Sequence, residues 1–333
     1  MMRVACYRTT GPAHDVLKLE EQEVPEPQAG EVLVQIEASG INPSDTKMRA
    51  GWRGGSMSMP RVVPHSDGAG IIVAVGPGVD PARINSPVWI YNATALYNAS
   101  RAMGTAAQFC ALPAQQAVDR PQGVSAIQGA CLGVPACTAH RAVFSEGPVC
   151  GLTVLVQGGA GCVAHYAIQM AKLGGARVIC TVSSQDKAVH ALGAGADAVV
   201  NYKCEDVAAR VRDWAGDEGV DRIVEVDLGA NLEIDAALIK VNGHIASYSS
   251  TSRPEPVFPY YALAYKGVSL RLVQGFNLPS AARAAAIADL NRWCAAGHIH
   301  HAIGAVYPLE QIAQAHLAVE SGQVVGNVVL SLA

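Results

Sequence analysis

Residues 153–164 carry the strongest structural signal in the chain, and they read Thr153-Val-Leu-Val-Gln157-Gly158-Gly159-Ala160-Gly161-Cys162-Val163-Ala164. An apolar run enters a glycine-rich turn, and apolar residues at helical spacing follow the turn. This order of strand, Gly159-x-Gly161-x-x-Ala164 and helix is typical of dinucleotide-binding folds. The alternative is an ordinary strand-to-helix turn.

Each small residue of this turn has a physical reason in a dinucleotide site. Gly159 would permit the tight bend, Gly161 would let the backbone approach a pyrophosphate, and Ala164 would allow the helix to pack closely on the strand. Free N–H groups and the helix dipole would then hold the diphosphate. The predicted phosphate-binding residues are Gly158, Gly159, Gly161, Cys162 and Val163. Cys162 lies near a helix N-terminus, a setting that lowers a thiol pKa, although simple packing is the alternative role.

Short apolar strands alternate with helical segments from residue 153 to residue 273. The strand candidates are Thr153–Gln157, Arg177–Val182, Ala198–Asn201, Arg222–Val226, His244–Tyr248 and Val268–Val273. Strands that alternate with helices of 10–15 residues predict βαβ units and a parallel sheet. Because such crossovers are right-handed, the prediction is an α/β fold with a doubly wound Rossmann sheet.

The end of the second strand indicates which dinucleotide is bound. An NAD site usually places an acidic residue there, whereas this chain has Ser183 and Ser184, followed by Lys187. Hydroxyl groups and a cation suit a 2′-phosphate, so NADPH is favoured over NADH. Asp186 argues against NADPH, since its carboxylate could reach back to bind a ribose hydroxyl of NADH. Lys187 has the alternative role of a solvated residue in the first turn of a helix.

Composition excludes several classes of protein. Hydrophobic residues make up 50% and charged residues 16% of the 333 residues, which excludes intrinsic disorder. The net charge of -4 offers no basic field for nucleic acid or anionic lipid, so neither partner is expected. No apolar run approaches the roughly 20 residues that span a bilayer, and the charged N-terminus does not resemble a signal peptide. We therefore predict a cytoplasmic protein without membrane contact.

The segments before and after the central one have a different pattern of predicted strands and helices. Residues up to about 120 are β-rich, with strands predicted at Val32–Glu37 and Gly70–Val75, and 92–103 are predicted as a surface loop. The last segment predicts a helix, a strand, a helix and a strand at Ser280–Ala296, Ile303–Tyr307, Leu309–Ser321 and Val325–Ser331. These elements could complete either the parallel sheet or the first domain.

Ordered motifs across the chain resemble those of the zinc-free quinone oxidoreductases, the zeta-crystallin-like group of the medium-chain dehydrogenase/reductase superfamily. The motifs are Ala38-Ser-Gly40-Ile-Asn42-Pro43-Ser-Asp45, Pro64-His65-Ser66-Asp67-Gly68-Ala69-Gly70, Gly104-Thr-Ala-Ala-Gln-Phe109, Leu132-Gly133-Val134-Pro135, Gly158–Ala164, Asn201-Tyr202 and Gly326-Asn327-Val-Val-Leu330. Each motif alone is weak, but their order over nearly the whole length is specific.

The resemblance implies an architecture and an assembly. A GroES-like, partly open β-barrel catalytic domain would comprise residues 1–122 and 269–333, and an NADPH-binding Rossmann domain would comprise residues 123–268. The active cleft would lie between the domains. Family members usually form homodimers, so a homodimer is expected.

The resemblance also implies that zinc is absent. Zinc-dependent relatives place Cys, His and Cys where this chain has Asn42, Ser66 and Val134, which form a poor zinc ligand set. We therefore predict no metal. Without a Lewis acid to polarise an alcohol, the resemblance favours reduction of an electrophilic acceptor.

Several site residues follow from the resemblance. Asn42 would lie near the nicotinamide ribose, or else form the turn before Pro43, and Asp45 would orient neighbouring groups or cap a helix. The remaining cofactor contacts that it implies are Thr138, Ser183, Ser184, Lys187, Tyr202, Tyr248, Ser249, Gly275 and Asn327. Tyr202 has packing at a strand end as its alternative role, and Asn327 stands where many relatives have lysine.

Two departures from the family pattern fall near the expected acceptor. Arg53 replaces a tyrosine of well-known relatives, so Trp52 would form an aromatic wall for a flat quinone or Arg53 would polarise a carbonyl oxygen. His65 replaces a glycine, and it is either a proton donor or a structural histidine bonded to the backbone.

The predicted activity is hydride transfer from NADPH to a small-molecule quinone or α,β-unsaturated carbonyl. One alternative is a reductase of the same fold that acts on an enoyl thioester or an alcohol. The other is a non-enzymatic, RNA-binding or structural role, as in some zeta-crystallin-like proteins.

Overall fold

The computed structural model describes residues 1–55, 57, 59–94 and 103–332. They form two compact units, one of residues 1–135 with 287–333 and one of residues 136–286. Up to residue 135 the elements are β1 (Met2–Cys6), α1 (Ala13–Val16), β2 (Lys18–Gln22), β3 (Glu31–Ile41), α2 (Pro43–Ala50), β4 (Asp67–Val75), β5 (Pro87–Ile90), β6 (Phe109–Pro113), β7 (Ala117–Asp119) and α3 (Ala126–Gly129).

The second unit and the C-terminal segment supply the remaining elements. They are α4 (Cys137–Phe144), β8 (Thr153–Val156), α5 (Cys162–Leu173), β9 (Arg177–Val182), α6 (Gln185–Gly193), β10 (Ala198–Asn201), α7 (Val207–Ala215), β11 (Val220–Glu225), α8 (Leu228–Leu238), β12 (Ile239–Ser247), α9 (Tyr260–Ala264), β13 (Ser269–Leu272), α10 (Ser280–Ala295), β14 (Ile303–Pro308), α11 (Ile312–Ser321) and β15 (Asn327–Ser331).

The second unit contains a parallel sheet with the strand order β10-β9-β8-β11-β12-β13. The chain starts at β8 in the middle, adds β9 and β10 on one side, and then returns to add β11, β12 and β13 on the other. Strand order therefore reverses beside β8, which is the switch point where doubly wound sheets bind ligands. The predicted Rossmann fold is confirmed.

Burial on both faces explains why these strands are continuous apolar runs. Leu155, Ile179, Ile223 and Ile245 are fully buried in one cluster with side chains of the surrounding helices. Strands that are covered by helices on both faces need no alternation of polar residues, and β8 is a continuous apolar run after its first residue. The predicted bounds of β8, β9 and β10 agree with the structure to within one residue, whereas β12 begins at Ile239, five residues before the predicted His244.

The first unit is built on a mainly antiparallel sheet with the order β14-β15-β3-β4-β5-β7, and β6 also pairs with β3. β15 is antiparallel to β3 over Val328–Ser331, and β14 is parallel to β15. The C-terminal strands therefore complete the first domain and not the parallel sheet. This answers the question that the sequence left open.

The predicted domain boundaries remain a prediction, although two of their details differ from the compact units. β13, which the prediction assigns to the first domain, pairs in parallel with β12 and so belongs to the parallel sheet. α3 precedes the change of unit at residue 136. Most of the predicted 92–103 loop lies outside the described residues. In the described part of the chain, no helix is both long and apolar enough to cross a membrane.

Candidate active site

The predicted cofactor residues of the second unit follow the carboxyl ends of strands in one parallel sheet. The glycine loop, Gly158–Gly161, follows β8, and the pair Ser183 and Ser184 follows β9. Tyr202 follows β10, the pair Tyr248 and Ser249 follows β12, and Gly275 follows β13. Because parallel strands share one carboxyl edge, the fold brings these residues to the same edge of the sheet, where ligands of this fold bind.

The glycine loop is fixed to the neighbouring strand β9. The Gly159 amide donates to the Thr181 carbonyl oxygen at 2.8 Å, and the Gly158 amide donates to Thr181 Oγ1 at 3.0 Å. The left-handed φ of +69° falls on Gly158, whereas a Cβ on Gly159 would lie 2.7 Å from Cys180 Sγ. The tight bend therefore requires glycine at 158, and close packing requires it at 159. The sequence-based prediction that Gly159 permits the bend is wrong, because the positive φ belongs to Gly158.

The start of α5 fits a diphosphate group. Gly161 is the N-cap residue, and no side chain in the described part of the chain caps it. The first amides of a 12-residue helix, at Cys162 and Val163, thus have no capping side chain, and the helix dipole favours an anion there. Among the residues that the structure describes, a Cβ on Gly161 would meet only the Gly158 carbonyl oxygen, at 3.5 Å, so the backbone is open to a ligand.

Cys162 does not have the reactive thiol that its position suggested. Burial raises the pKa of its thiol to about 11, and this effect exceeds the opposing effect of the nearby backbone amide. A thiol with a raised pKa is a poor nucleophile and resists oxidation near neutral pH. The packing role that the sequence left open is therefore favoured.

The tip of β9 presents hydroxyl groups and a cation. Ser184 is the N-cap residue of α6 and accepts a hydrogen bond from the Lys187 amide at 3.4 Å. The Lys187 ammonium group turns back over this turn and donates to Ser183 Oγ at 3.2 Å. Asp186, the competing residue, is exposed. The three polar groups lie together at the carboxyl end of β9.

Tyr202 extends this polar region from the next strand. Its amide donates to the Val182 carbonyl oxygen at 3.0 Å, which places it beside the tip of β9. The ring is 48% exposed, so it is not a packed strand-end aromatic. Lys203 Nζ lies 5.4 Å from the ring centroid and adds a second cation that sequence reasoning missed.

The other predicted contacts of the second unit have mixed environments. Thr138 is buried in the first turn of α4, and Gly275 is buried at the start of a 3₁₀ turn. The Tyr248 amide donates to the Glu225 carbonyl oxygen at 3.0 Å, and the Ser249 carbonyl oxygen accepts from the Leu228 amide. These bonds fix the backbone after β12, while their roles toward a cofactor stay predictions.

In the first unit, Asn42, Asp45, Ser66 and Asp67 form a buried acid cluster. Asn42 Nδ2 donates to Asp67 Oδ2 at 2.8 Å, and the Asn42 amide donates to Asp45 Oδ2 at 2.8 Å. Asn42 is thus both the N-cap residue of α2 and a partner of Asp67. Asp45 takes the helix-capping role that was one of its two alternatives.

Burial dominates the titration of this cluster. It raises the pKa of Asp45 to about 7 and that of Asp67 to about 8, in each case against hydrogen bonds that lower the pKa. Asp67 also accepts a hydrogen bond from the Val134 backbone amide at 2.9 Å, so its carboxyl group bonds both the Asn42 side chain and the Val134 backbone. In the described residues, no group of three or more potential ligands is arranged to hold a metal ion.

His65 is enclosed within the protein. Its Nδ1 lies 2.8 Å from Ser39 Oγ, and its Nε2 lies 2.9 Å from Nε2 of His316 on α11. Burial lowers the pKa of both imidazoles, to about 3 for His316. Since both ring nitrogens of His65 have partners, the arrangement favours the structural role over the proton-donor role.

The three remaining predicted residues lie apart from the buried acid cluster. Trp52 is 44% exposed, and Lys47 Nζ and the Arg53 guanidinium lie 5.0 and 5.7 Å from its ring centroid. The proposed roles of Trp52 and Arg53 toward an acceptor stay predictions. Asn327 is buried in β15, where its Nδ2 donates to the Ala302 carbonyl oxygen at 3.0 Å. Its side chain thus joins neighbouring backbone segments.

Sequence reasoning missed a buried polar network behind the glycine loop. It contains Gln157, Thr181, Glu225 and Asp235. One signal was available in the sequence, because Glu225 interrupts the apolar run of β11. An acidic residue inside a buried strand requires a partner, but the sequence could not say which one.

Comparison with known proteins agrees with this architecture. Residues 28–122 match the alcohol dehydrogenase GroES-like domain, and residues 162–292 match the zinc-binding dehydrogenase family. A mycobacterial protein solved in complex with NADPH is 31% identical, with a TM-score of 0.86 and 100% of both chains covered. An NAD-dependent alcohol dehydrogenase is 29% identical, with a TM-score of 0.89 and the same coverage.

A GroES-like domain joined to a Rossmann domain defines the medium-chain dehydrogenase/reductase superfamily, so the chain is a nicotinamide-dependent oxidoreductase. The quinone oxidoreductase of the rat is 31% identical over 318 residues, which cover 95% of this chain and 93% of the relative. Within the superfamily, this chain belongs to the quinone oxidoreductase family. The family assignment favours an enzyme over the structural or RNA-binding alternative.

Proposed function

We propose that this enzyme uses NADPH to reduce a quinone or an α,β-unsaturated carbonyl compound without zinc. The observation that carries the proposal is the position of the glycine loop, Ser183 and Lys187 at one carboxyl edge of the parallel sheet. This edge offers backbone amides for a diphosphate and a cation for a 2′-phosphate.

The preference for NADPH rests on the tip of β9. Lys187 is directed toward Ser183, and the nearby Lys203 lies over the Tyr202 ring. Two cations and a hydroxyl group would stabilise a dianionic phosphate more than a ribose hydroxyl. The mycobacterial neighbour that was solved with NADPH supports the same preference.

The independence from zinc rests on the ligand positions. The Asn42 amide is committed to Asp67, and Val134 contributes only its backbone amide to the same carboxyl group. Neither side chain is a zinc ligand of ordinary strength. The name of the matching family model refers to zinc, but these positions of this chain do not fit the ion.

The bound dihydronicotinamide supplies a hydride, which together with one proton converts a quinone into a hydroquinone or saturates the double bond of an enone. The protein's part is to hold the cofactor through the glycine loop and the tip of β9. Since His65 is enclosed, water is the proposed source of the proton. The family name of the relatives favours a quinone as the first acceptor to test.

We also propose a homodimer that forms through the edge of the parallel sheet at β13. Beside this edge Tyr261 and Tyr265 are 68% and 83% exposed, and Leu272 on β13 is 72% exposed. Exposed apolar side chains on the last strand of a sheet, and just before it in the chain, are typical of protein interfaces. The cytoplasmic location stays a prediction.

The test is the oxidation of NADPH and of NADH by chelator-treated enzyme, with a simple quinone and a simple enone as acceptors. We expect rapid loss of NADPH absorbance, much slower loss of NADH absorbance, and no effect of the chelator. A rate that falls on chelation and returns with added zinc would overturn the zinc-independent proposal. Equal rates with the two cofactors would overturn the assignment of the phosphate site.

A further inference from the structure

A continuous series of hydrogen bonds runs from the glycine loop into the interior of the second unit. The Gly158 amide donates to Thr181 Oγ1 at 3.0 Å, and this hydroxyl group donates to Gln157 Oε1 at 2.7 Å. Gln157 Nε2 then donates to Asp235 Oδ1 on α8 at 3.0 Å. Each donor meets an acceptor, so the series has one consistent direction.

The series ends on a pair of buried carboxyl groups. Asp235 and Glu225 interact with each other, and both side chains are fully buried. Glu225 already accepts the Asn231 amide group at 3.0 Å and the backbone amide of Asp227. Asp235 Oδ2, in contrast, receives no hydrogen bond from any donor in the described part of the chain. A contact between two carboxyl groups requires one shared proton, and this asymmetry places it on Asp235.

We propose that Glu225 and Asp235 are positioning residues for the cofactor's diphosphate, which they serve by fixing the glycine loop through Gln157 and Thr181. The inference rests on the proposed function of that loop. Asp235 Oδ1 is an acceptor, so the Gln157 amide presents Nε2 to it and Oε1 to Thr181. The Thr181 hydroxyl group then points its hydrogen at Gln157 and leaves a lone pair for the Gly158 amide.

This orientation makes a specific prediction about amide substitutions. Asp235→Asn keeps an acceptor for Gln157 and a donor for Glu225, so it mimics the protonated acid. Asp235→Leu removes both and leaves buried groups without partners. Glu225→Gln keeps one acceptor oxygen for Asp227 and Asn231, but it turns the other oxygen into an amide donor that faces the proton on Asp235, so it also breaks the pair.

The first experiment is titration of each folded variant with NADPH, with circular dichroism melting as the check on folding. Asp235→Asn should bind NADPH within about twofold of the wild type, whereas Asp235→Leu and Glu225→Gln should bind about tenfold more weakly. The KM for the quinone and kcat at saturating NADPH should stay near the wild-type values. Equal weakening by Asp235→Asn and Asp235→Leu would overturn the proton assignment, and unchanged affinity in the folded Leu variant would overturn the inference.

A second pair of variants keeps the inference testable if Asp235→Leu does not fold. Thr181→Val removes the hydroxyl group that links the loop to Gln157. Thr153→Val makes the same change at the first residue of β8, at the end of that strand far from the glycine loop. Thr181→Val should weaken NADPH binding about fivefold, and Thr153→Val should not change it. Equal affinities of these two variants would overturn the inference alone. A wild-type protein that binds neither NADPH nor NADH would overturn the proposed function and the inference together.

Discussion

Two adjacent glycines in the phosphate loop are required for different reasons. Gly158 has a positive φ, and Gly159 lies against Cys180 of the neighbouring strand. The sequence pattern predicted that glycines belong here, because the strand, turn and helix order is local. It could not assign the two roles, since the packing against β9 depends on a strand about 20 residues further along the chain.

Lys187 is the residue on which the cofactor preference depends most. Lys187→Ala removes the cation at the tip of β9, so we expect the KM for NADPH to rise about tenfold while the KM for NADH stays nearly unchanged. Steady-state rates with both cofactors measure this effect. Lys172→Ala, at the far end of α5 in an ion pair with Asp197, is the matched control and should change neither value. An equal loss for NADH and NADPH would contradict the phosphate role.

At the scale of elements, strand identities were predictable and strand partners in the first unit were not. The apolar runs of β8, β9 and β10 define their own bounds, because burial on both faces favours apolar sequence. The first part of β12, with Lys240 and Asn242, has no such run and was not predicted. The pairing of β15 with β3 joins residues almost 300 positions apart, and nothing local encodes it. The same reason hid the contact of His65 with His316, which depends on how α11 packs in the first unit.

The His65–His316 contact predicts a loss of stability in acid. The folded protein keeps both imidazoles neutral, whereas an unfolded histidine takes up a proton below pH about 6.5. For these two groups the unfolded state therefore binds more protons, and their contribution to the free energy of unfolding falls as the pH drops from about 6.5 toward 3. Each histidine that is held neutral in the folded state lowers the free energy of unfolding by up to about 1.4 kcal/mol for each pH unit in that window.

Urea unfolding at pH 7 and pH 5 tests this prediction. His316→Gln keeps a donor for His65 but cannot titrate, so its loss of stability between the two pH values should be smaller than that of the wild type by about 1–2 kcal/mol. His14→Gln, at an exposed position in the same unit, should lose as much as the wild type. Equal losses in all three proteins would show that His316 is not held neutral by burial.

At the scale of the whole molecule, the exposed aromatic surface beside β13 predicts how two copies associate. Leu272→Glu places a charge on the sheet edge of each copy, and across a twofold axis the two charges repel each other. We expect the dimer dissociation constant to rise about a hundredfold, as measured by sedimentation velocity. Val189→Glu adds a charge at an exposed position on α6, which lies toward the other edge of the sheet, and should leave the dimer intact. A wild-type protein that sediments as a monomer would contradict the homodimer proposal.

Transfer of a hydride from NADPH to a quinone is the central claim, and one rapid-mixing measurement tests it most directly. Enzyme saturated with NADPH is mixed with excess quinone, and a parallel sample contains NADPH that carries deuterium at the transferred C4 position. We expect loss of the reduced-nicotinamide absorbance in a single turnover, and a slower loss with the deuterated cofactor, because the C4–H bond breaks in that step. Absorbance that the quinone leaves unchanged, or that falls at the same rate in both samples, would contradict it.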